Sequence, residues 1–596
     1  NTIDFLIKIQ KKNGSIQEFA KQVNGEVQKY AVVYLHVGFD SKRHGNVQSQ
    51  KDILNLTYEN RETSSSRNTY EPKLFYPSDP YDDQAHICHV ELKYDDAGTF
   101  IMYTEENEII EDDSIVEFSY DNESVDKYQS WSPLRVRYDK TSEYRNGGKN
   151  FGNSYHVANS NWKTIKDPIS EDMLIRGNKI SMEAVLLQDK DVYYNGNKKH
   201  SKTIALRNFH NLYVKNALIE STTKKNSPKD KITLLDLAVG KAGDLPKWMN
   251  SNVYAVLGID INYDNIHNAN DGACTRLLNN HRDRKPYIPI SMFIQGNTSR
   301  LLETGEFAQE QGNGNRKIEL EEKYDEEGEL IQEAPEAESY KILQSLMGVG
   351  TRETSAYPFT KKYFGLFETK FDVVSIQFAL HYMFEDKKSL HSFAKNVSDY
   401  TKLGKYFIGT CYDGKMIYEE LKNKKSGEKR ELYVGNKKIW HVTKLYEDDE
   451  RKFMEDEEES LGYKIKVYQE TINKDFEEYL VNFDYFVKVM QDYGFSVYDE
   501  LQMHEKKQPG IGNFKLLHDN MMTTSKKDKY GKAYNMSEEE KQISFLNNYF
   551  VFRKERDVDT NLLYTYHVEE NEVTEPKSME ITNPIKLNRK IILSQA

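Results

Sequence analysis

Cysteine is scarce. Three residues in 596, Cys88, Cys274 and Cys411, are too widely spaced to frame a disulfide scaffold, which points to a reducing compartment. No run of about 18 apolar residues occurs, so neither a membrane span nor a secretory leader is expected. Positive charge is in deficit, with 82 Lys and Arg against 95 Asp and Glu and a net charge of −13. A global basic face for holding nucleic acid is thereby excluded, and any such site has to be local. Metal-ligand clusters are missing too. His86, Cys88 and His89 lie close together, but the alternating faces of a strand would separate them and no second cluster completes a tetrahedral set. No metal is expected. The chain starts at Asn1 inside the apolar run from Ile3 to Ile9, which reads as a fragment of a longer polypeptide.

The stretch Leu234-Leu-Asp-Leu-Ala-Val-Gly-Lys-Ala-Gly-Asp244 carries the most information. It reads as a buried parallel strand followed by a turn in which Gly240 and Gly243 let the backbone approach a ligand that a Cβ would block. Asp244 sits where the next helix begins. A second apolar strand, Val253 to Ile259, ends in Asp260, and a carboxylate at that tip is the usual partner of a ribose diol in nucleotide-type folds. Turn, helix and acid tip together predict a nucleoside-cofactor site.

The first region, to about residue 165, reads as mostly β. Its short runs are rich in Val, Ile, Tyr and Phe: Tyr30 to Val37, His86 to Lys93, Thr99 to Tyr103, Ile115 to Tyr120 and Trp131 to Tyr138. Five strands with irregular loops fit a small closed barrel of OB-fold type, with a sandwich-like accessory domain as the alternative. Ser41 to Asn68 is polar and serine-rich, as a surface insertion would be. Residues 166–205 read as a connector, and strand–helix alternation from Lys231 onward predicts an α/β Rossmann-like sheet over 206–596. Strands are expected at Phe371 to Ile376 and Tyr406 to Thr410, with closing strands at Phe476 to Val481, Phe495 to Val497 and Tyr549 to Phe552. Two acidic stretches, near 303–338 and 447–460, read as solvated insertions.

The set Gly240-Lys-x-Gly-Asp244, Gly258-Ile-Asp260 and Gln377-Phe-x-x-His381-Tyr382 resembles eukaryotic and viral mRNA cap (guanine-N7) methyltransferases. Arg207-Asn-Phe-His-Asn211 with Lys215 resembles that family's entry helix, and Glu478-Tyr479 its acid before a late strand. The likeness covers roughly Leu206 to Lys554. Upstream, Asn1-Thr-Ile-Asp-Phe-Leu6 and Pro133-Leu-Arg-Val-Arg-Tyr-Asp-Lys140 are similar to the end of the nucleotidyltransferase region in large-DNA-virus capping enzymes, with Arg135, Arg137 and Lys140 in the phosphate-contacting motif carried on the OB-fold. The sequence holds no Lys-x-Asp-Gly nucleophile motif, so guanylyl transfer is not expected of this chain.

The resemblance implies S-adenosylmethionine as cofactor. Lys215 would approach the methionine carboxylate and Gln377 the methionine end. Asp236, Ala238, Gly240 and Asp244 would line the turn, Asp260 would hold the ribose, and Asn297 would meet the adenine where the family has an aspartate. Lys241, His381, Tyr382 and Glu478 take the positions that bind the cap. Departures are Ala242 for a glycine of the turn, Ser299 for a cap-side tyrosine and Asn547 at or beside a late one; Phe545 and Tyr412 are the candidate replacement aromatics. The implied partners are the guanosine-capped 5′ end of mRNA, the nucleotidyltransferase portion of the same parent polypeptide, and a stimulatory subunit or viral RNA polymerase, in host cytoplasm or virion, with no membrane.

Methyl transfer from a sulfonium to guanine N7 needs little acid–base help, because N7 has a free lone pair. Alignment of nucleophile, methyl and sulfur can therefore carry catalysis without an acid or base residue. Glu478 could accept from guanine N1 and the amino group, and Lys241 could meet the cap phosphates as a point charge. Two other function classes fit the same sequence: a different RNA or small-molecule methyltransferase, and a non-catalytic scaffold of a capping or transcription complex.

Overall fold

The computed structural model describes residues 1–166, 202–309, 337–447 and 452–569, short stretches within these ranges excepted, together with a hairpin of Lys323–Tyr324 and Leu330–Gln332. Residues 167–201 of the expected connector lie outside the described residues.

The N-terminal region is a strongly curled seven-stranded antiparallel sheet. Its strands include β1 (Thr2–Ile9), β2 (Glu18–Val23), β3 (Glu26–Asp40), β4 (Tyr70–Leu74), β5 (Ile87–Glu91), β6 (Ile115–Tyr120) and β7 (Trp131–Val136). The order is β7-β6-β1-β3-β2, and the long β3 also pairs with β4 and β5. β7 and β5 meet through side chains: the Trp131 Nε1–H donates to the Ala85 carbonyl at 2.9 Å and the Cys88 thiol to the Trp131 carbonyl at 3.3 Å. Phe5, Phe75, Phe118 and Trp131 fill the interior in tilted and edge-on contacts, and Trp162 of a closing helix packs edge-on against Phe75. This is an OB-fold-like barrel. β1 lies within the apolar run that opens the chain, and the expected strand Thr99 to Tyr103 shrinks to Phe100–Ile101.

The C-terminal region is a Rossmann-like sheet of β8 (Thr233–Asp236), β9 (Ala255–Asp260), β10 (Ile290–Gln295), β11 (Phe371–Gln377), β12 (Thr401–Tyr412), β17 (Phe495–Val497), β18 (Ile511–Asn513) and β19 (Asn547–Lys554). The order is β10-β9-β8-β11-β12-β19-β17, with β18 also on β19; the first five are parallel and β19 runs against β12. β8, β9 and β11 are buried at every position, as strands covered on both faces must be. The chain reverses its winding between β8 and β11, so a crevice opens there at the carboxyl ends of the strands.

Three sequence expectations need correction. Phe476 to Val481 does not close the main sheet. Lys474–Tyr479 (β16) is the edge of a separate antiparallel sheet with β13 (Lys429–Val434), β14 (Lys437–Lys444) and β15 (Lys464–Gln469), in the order β13-β14-β15-β16. Second, the polar stretch after residue 41 is not all surface. Its helix α1 (Ser49–Leu54) inserts Ile53 and Leu54, both fully buried, into the core of the Rossmann-like region. The Gln50 side-chain amide donates to the Phe293 carbonyl of β10 at 2.7 Å, and Asn46 N–H donates to the Ala269 carbonyl at 2.7 Å. Two such apolar side chains stabilise the docking by roughly 1.5–3 kcal/mol each.

Third, the acidic stretches contribute core residues. Phe307 is fully buried beside Gly296, where a Cβ would come within 2.3 Å of its ring. Phe453, equally buried, stacks on Tyr418 with ring centroids 5.2 Å apart. Each acidic run thus has one buried aromatic among its described residues; 310–322 lie outside the described residues.

Candidate active site

The turn after β8 is held by its own acids. Gly240 N–H donates to Asp260 Oδ2 at 2.7 Å, and the other Asp260 oxygen accepts from Asn262 N–H and the Asn265 side-chain amide, each at 2.9 Å. Asp260 thus clasps the turn to the tip of β9, and burial raises its pKa. Gly240 has φ +54° and Ala242 φ +50°, so the alanine tolerates a left-handed conformation that glycine would adopt freely. A Cβ on Gly243 would meet nothing within 4 Å, so the turn is open on that side. Gly258 behaves oppositely: a Cβ would lie 2.7 Å from the Phe293 ring and 2.8 Å from Val239.

Asp244 precedes the helix α4 (Leu245–Asn250) and is gripped from two sides, by Lys215 Nζ on Oδ2 and Lys247 Nζ on Oδ1, both at 2.7 Å. Burial pushes its carboxyl up, but Lys215 and then Lys247 outweigh that and hold it well below the usual carboxylate range. Asp236, equally buried and facing the charge of Asp244, is pushed up to about 7. Lys215 arrives on a π-helical turn, Phe209–Lys215, within the helical stretch from Ile204 to Thr222. Its Nζ lies 5.9 Å above the ring of Phe378, a residue at φ +57° that stacks on His210 at 5.3 Å. Gln377, just before it, accepts from the Thr410 hydroxyl at 3.0 Å and donates to Ser375 Oγ at 3.1 Å. Asn297 faces the same end of the sheet; its Oδ1 accepts from Ser299 Oγ at 2.7 Å, and its backbone N–H donates to the Phe307 carbonyl at 2.7 Å. Ala238 N–H donates to Asp236 Oδ1 at 3.2 Å. The sequence-expected cofactor residues therefore cluster around the carboxyl ends of β8, β9, β10 and β11.

A second cluster of expected residues lies where β16 passes the 3-10 turn Leu380–Phe384. Glu478 is nearly buried, and its Oε2 stands 3.7 Å from His381 Nδ1. Among the described residues, Glu478 Oε2 and His381 Nε2 are both buried without a hydrogen-bond partner. Burial raises Glu478 to about 8 and lowers His381 to about 3, so at neutral pH the imidazole is neutral and the carboxyl largely protonated. The ring of Tyr382 stands edge-on to His381 at 4.2 Å.

Further residues complete this cluster, and of these Cys411, Trp440 and Gln469 were not singled out by the sequence. Cys411 Sγ is 3.8 Å from His381 Nδ1. The Tyr412 hydroxyl accepts from Trp440 Nε1 at 3.1 Å and from the Gln469 amide at 2.7 Å, which locks its ring beside Cys411. Of the two candidate aromatics, Tyr412 is thus in the same cluster; Phe545 packs instead on His518, ring centroids 5.3 Å apart. Asn547 donates to the Ile543 and Ser544 carbonyls and closes a helix end.

Lys241 stands differently from the sequence expectation of an open point charge. It is 4 % exposed, and its Nζ lies 2.8 Å from both Asp264 and Asp271. Neither acid stands out in the sequence: Asp264 lies on the short helix Tyr263–His267 after β9 and Asp271 in the turn that follows it, 23 and 30 residues from Lys241. Arg135, Arg137 and Lys140 do not share one strand face, since β7 ends at Val136 and Lys140 sits on the helix Tyr138–Arg145. Arg137 and Lys140 both pair with Asp4, at 2.7 and 2.5 Å, and Arg135 pairs with Glu117 at 2.7 Å.

Sheet order, glycine turn and acid tip define a Rossmann-like fold of the S-adenosylmethionine methyltransferase type. The chain belongs to the mRNA (guanine-N(7))-methyltransferase domain family, matched over residues 186–304 and 353–555, more than half its length. Residues 1–175 match the mRNA capping enzyme C-terminal domain. The probable mRNA-capping enzyme of Acanthamoeba polyphaga mimivirus is 28 % identical over 400 residues, 64 % of this chain and 30 % of that protein. The mRNA cap guanine-N(7) methyltransferase of Eremothecium gossypii is 27 % identical over 311 residues, 52 % of this chain and 54 % of that protein. The mRNA-capping enzyme of African swine fever virus is 25 % identical over 135 residues, 22 % of this chain and 13 % of that protein. In none of these three does the match reach two thirds of the relative's length.

Proposed function

We propose that the chain methylates N7 of the guanosine cap on RNA, with S-adenosylmethionine as methyl donor, and that it works as part of a capping polypeptide of large-DNA-virus type. The observation that carries this reading is the pair of buried polar atoms without a hydrogen-bond partner among the described residues, Glu478 Oε2 and His381 Nε2, on two side chains that approach to 3.7 Å. A guanine edge fits such a pair. Its N1–H and exocyclic amine donate to an ionised carboxylate, a pattern adenine lacks. Tyr382 and the locked Tyr412 supply flat walls for the purine.

The cofactor residues fit a nucleoside with an amino-acid tail. Asp260 would bind the ribose hydroxyls, Asn297 the adenine edge, and Lys215 the tail's carboxylate. S-adenosylmethionine supplies an electrophilic methyl group when bound. The chain's own contribution is alignment: Glu478 and His381 hold the guanine so that N7 faces the methyl, and the buried walls exclude water. An ionised Glu478 also favours the positive charge that N7 methylation places on the ring. No acid or base is required of the protein.

The test is incubation with labelled cofactor and unmethylated GpppG-capped RNA, followed by nuclease digestion and cap analysis. Label in 7-methylguanosine supports the reading. Label elsewhere, or none with the cofactor bound, overturns it.

A further inference from the structure

Two contiguous cavities run down the outer face between α4 and the helix α5 (Ala273–Arg282). The larger, about 350 Å³, lies between Met249 and Asn250 on one side and Asn280, Lys285 and Tyr287 on the other. The smaller, about 170 Å³, continues upward to Gly243 and Arg276. They share Pro246 and Asn280 and so form one groove. Its upper end adjoins the lysine expected at the cap phosphates. Arg276 Nε donates to the Asp271 carbonyl at 3.0 Å, and the Asp271 carboxylate accepts from Lys241 Nζ at 2.8 Å.

The lining has a consistent chemistry. Arg276 and Lys285 form no ion pair among the described residues, and the exposed Arg282 and Arg284 lie close to Lys285 in sequence, Arg282 pairing with Asp283 at 3.5 Å. In a chain of net charge −13, such a local basic edge is unusual. Asn250, Asn279 and Asn280 add amides that can donate or accept. The half-buried Tyr287 is fixed by its hydroxyl, which donates to the Val253 carbonyl at 2.8 Å, so its ring is held rigid beside Lys285. Cationic groups, amides and one fixed aromatic are the elements that take a flexible, singly charged-per-residue backbone with stackable bases.

We propose that this groove binds the single-stranded RNA that follows the cap. The inference rests on the cap-methylation reading for its starting point: phosphates leaving a guanine in the His381–Glu478 pocket pass Lys241, and the next nucleotides descend past Arg276 to Lys285 and Tyr287. Recognition there is of backbone and base face, so it is indifferent to sequence.

The test uses the whole chain and the exposed double variant Lys285→Glu/Asn250→Asp, neither residue touching the cofactor turn or the guanine pocket. Methylation of a GpppG dinucleotide is compared with that of the same cap on a 20-nucleotide unstructured RNA, and binding of the uncapped, fluorescently labelled RNA is followed by anisotropy against salt. The expected result is a severalfold higher KM for capped RNA, an unchanged dinucleotide reaction, and a salt slope reduced by about 0.7 for each phosphate that the protein no longer neutralises. Unchanged KM and unchanged salt slope overturn the groove. Equal loss on both substrates also overturns it, because the variant would then be acting on the pocket. If the wild-type chain methylates neither substrate, the cap reading fails, and the anisotropy comparison alone decides whether the groove holds RNA.

Discussion

If Glu478 reads the guanine edge as proposed, the affinity for guanine depends on pH. In the ligand-free protein its carboxyl is raised from the ordinary 4.5 to about 8 by burial, so at pH 7 roughly nine molecules in ten carry it neutral. Guanine needs the ionised form. Binding therefore releases a proton, and cap affinity should climb toward tenfold per pH unit from pH 6 to 8 before levelling off. His381, lowered to about 3, stays neutral throughout, while burial keeps the Cys411 thiol and Tyr412 phenol protonated. Asp236, at about 7, titrates in the same window on the cofactor side, so cofactor must be saturating. The same shift has a stability consequence. Native Glu478 binds a proton that the unfolded chain releases between pH 4.5 and 8, so stability falls as pH rises through that window. At pH 7 the cost is about 3 kcal/mol. Glu478→Gln should therefore stabilise the protein at pH 7 by up to that amount and change little at pH 4. It should lose tenfold or more in cap methylation, lose the pH dependence of cap affinity, and keep cofactor affinity. Calorimetric cap titrations from pH 6 to 9 and thermal melts at pH 4 and 7 check this. Flat wild-type cap affinity over that range, or a variant that is destabilised and loses cofactor binding too, would refute the reasoning.

Removing the Asp260 carboxylate in Asp260→Ala frees Gly240 N–H and Asn265 at once, so cofactor affinity should fall by at least tenfold in calorimetry, with Asp260→Asn falling less because one acceptor remains. Gly45 has φ +76°, and a Cβ there would lie 2.1 Å from the Ala269 carbonyl, so Gly45→Val should undock the segment before α1. Its expected signature is a lower melting temperature with a KM for capped RNA that rises more than kcat falls, since the segment displaced carries Asp264 and Asp271, the partners of Lys241. Radiolabelled GTP should leave no covalent adduct on this chain; a labelled band surviving denaturing electrophoresis would show a nucleophile that the sequence does not reveal.

Much of the fold is legible because its signals are local. A strand buried on both faces reads as an unbroken apolar run, and β8, β9 and β11 are of that kind; the glycine turn and the tip Asp260 follow from spacing alone. Glu478 was locatable by resemblance, but its setting was not. Its strand belongs to a second sheet whose register, Glu478 opposite Ile465, is decided by pairing that no local pattern encodes. The acidic stretches misled because composition averages over a segment, whereas burial is decided residue by residue. Phe307 and Phe453 each bury a full aromatic ring within a polar run.

Lys241 shows how the missing part was three-dimensional. A lysine in a glycine turn reads as a free point charge, yet here two carboxylates from the segment after β9 already surround it. That segment is fastened in turn by the N-terminal region, through Asn46 and the close approach of Gly45 to Ala269, and β10 is fastened by Gln50. A phosphate arriving at Lys241 has to compete with Asp264 and Asp271, so the position of these acids tunes how strongly the cation can act on it. Under the proposed cap reading, the N-terminal region thereby holds part of the cap-phosphate wall. This gives a physical reason for the two regions to share one chain: separating them would remove Ile53 and Leu54 from the Rossmann-like core and free the segment that positions the lysine's partners.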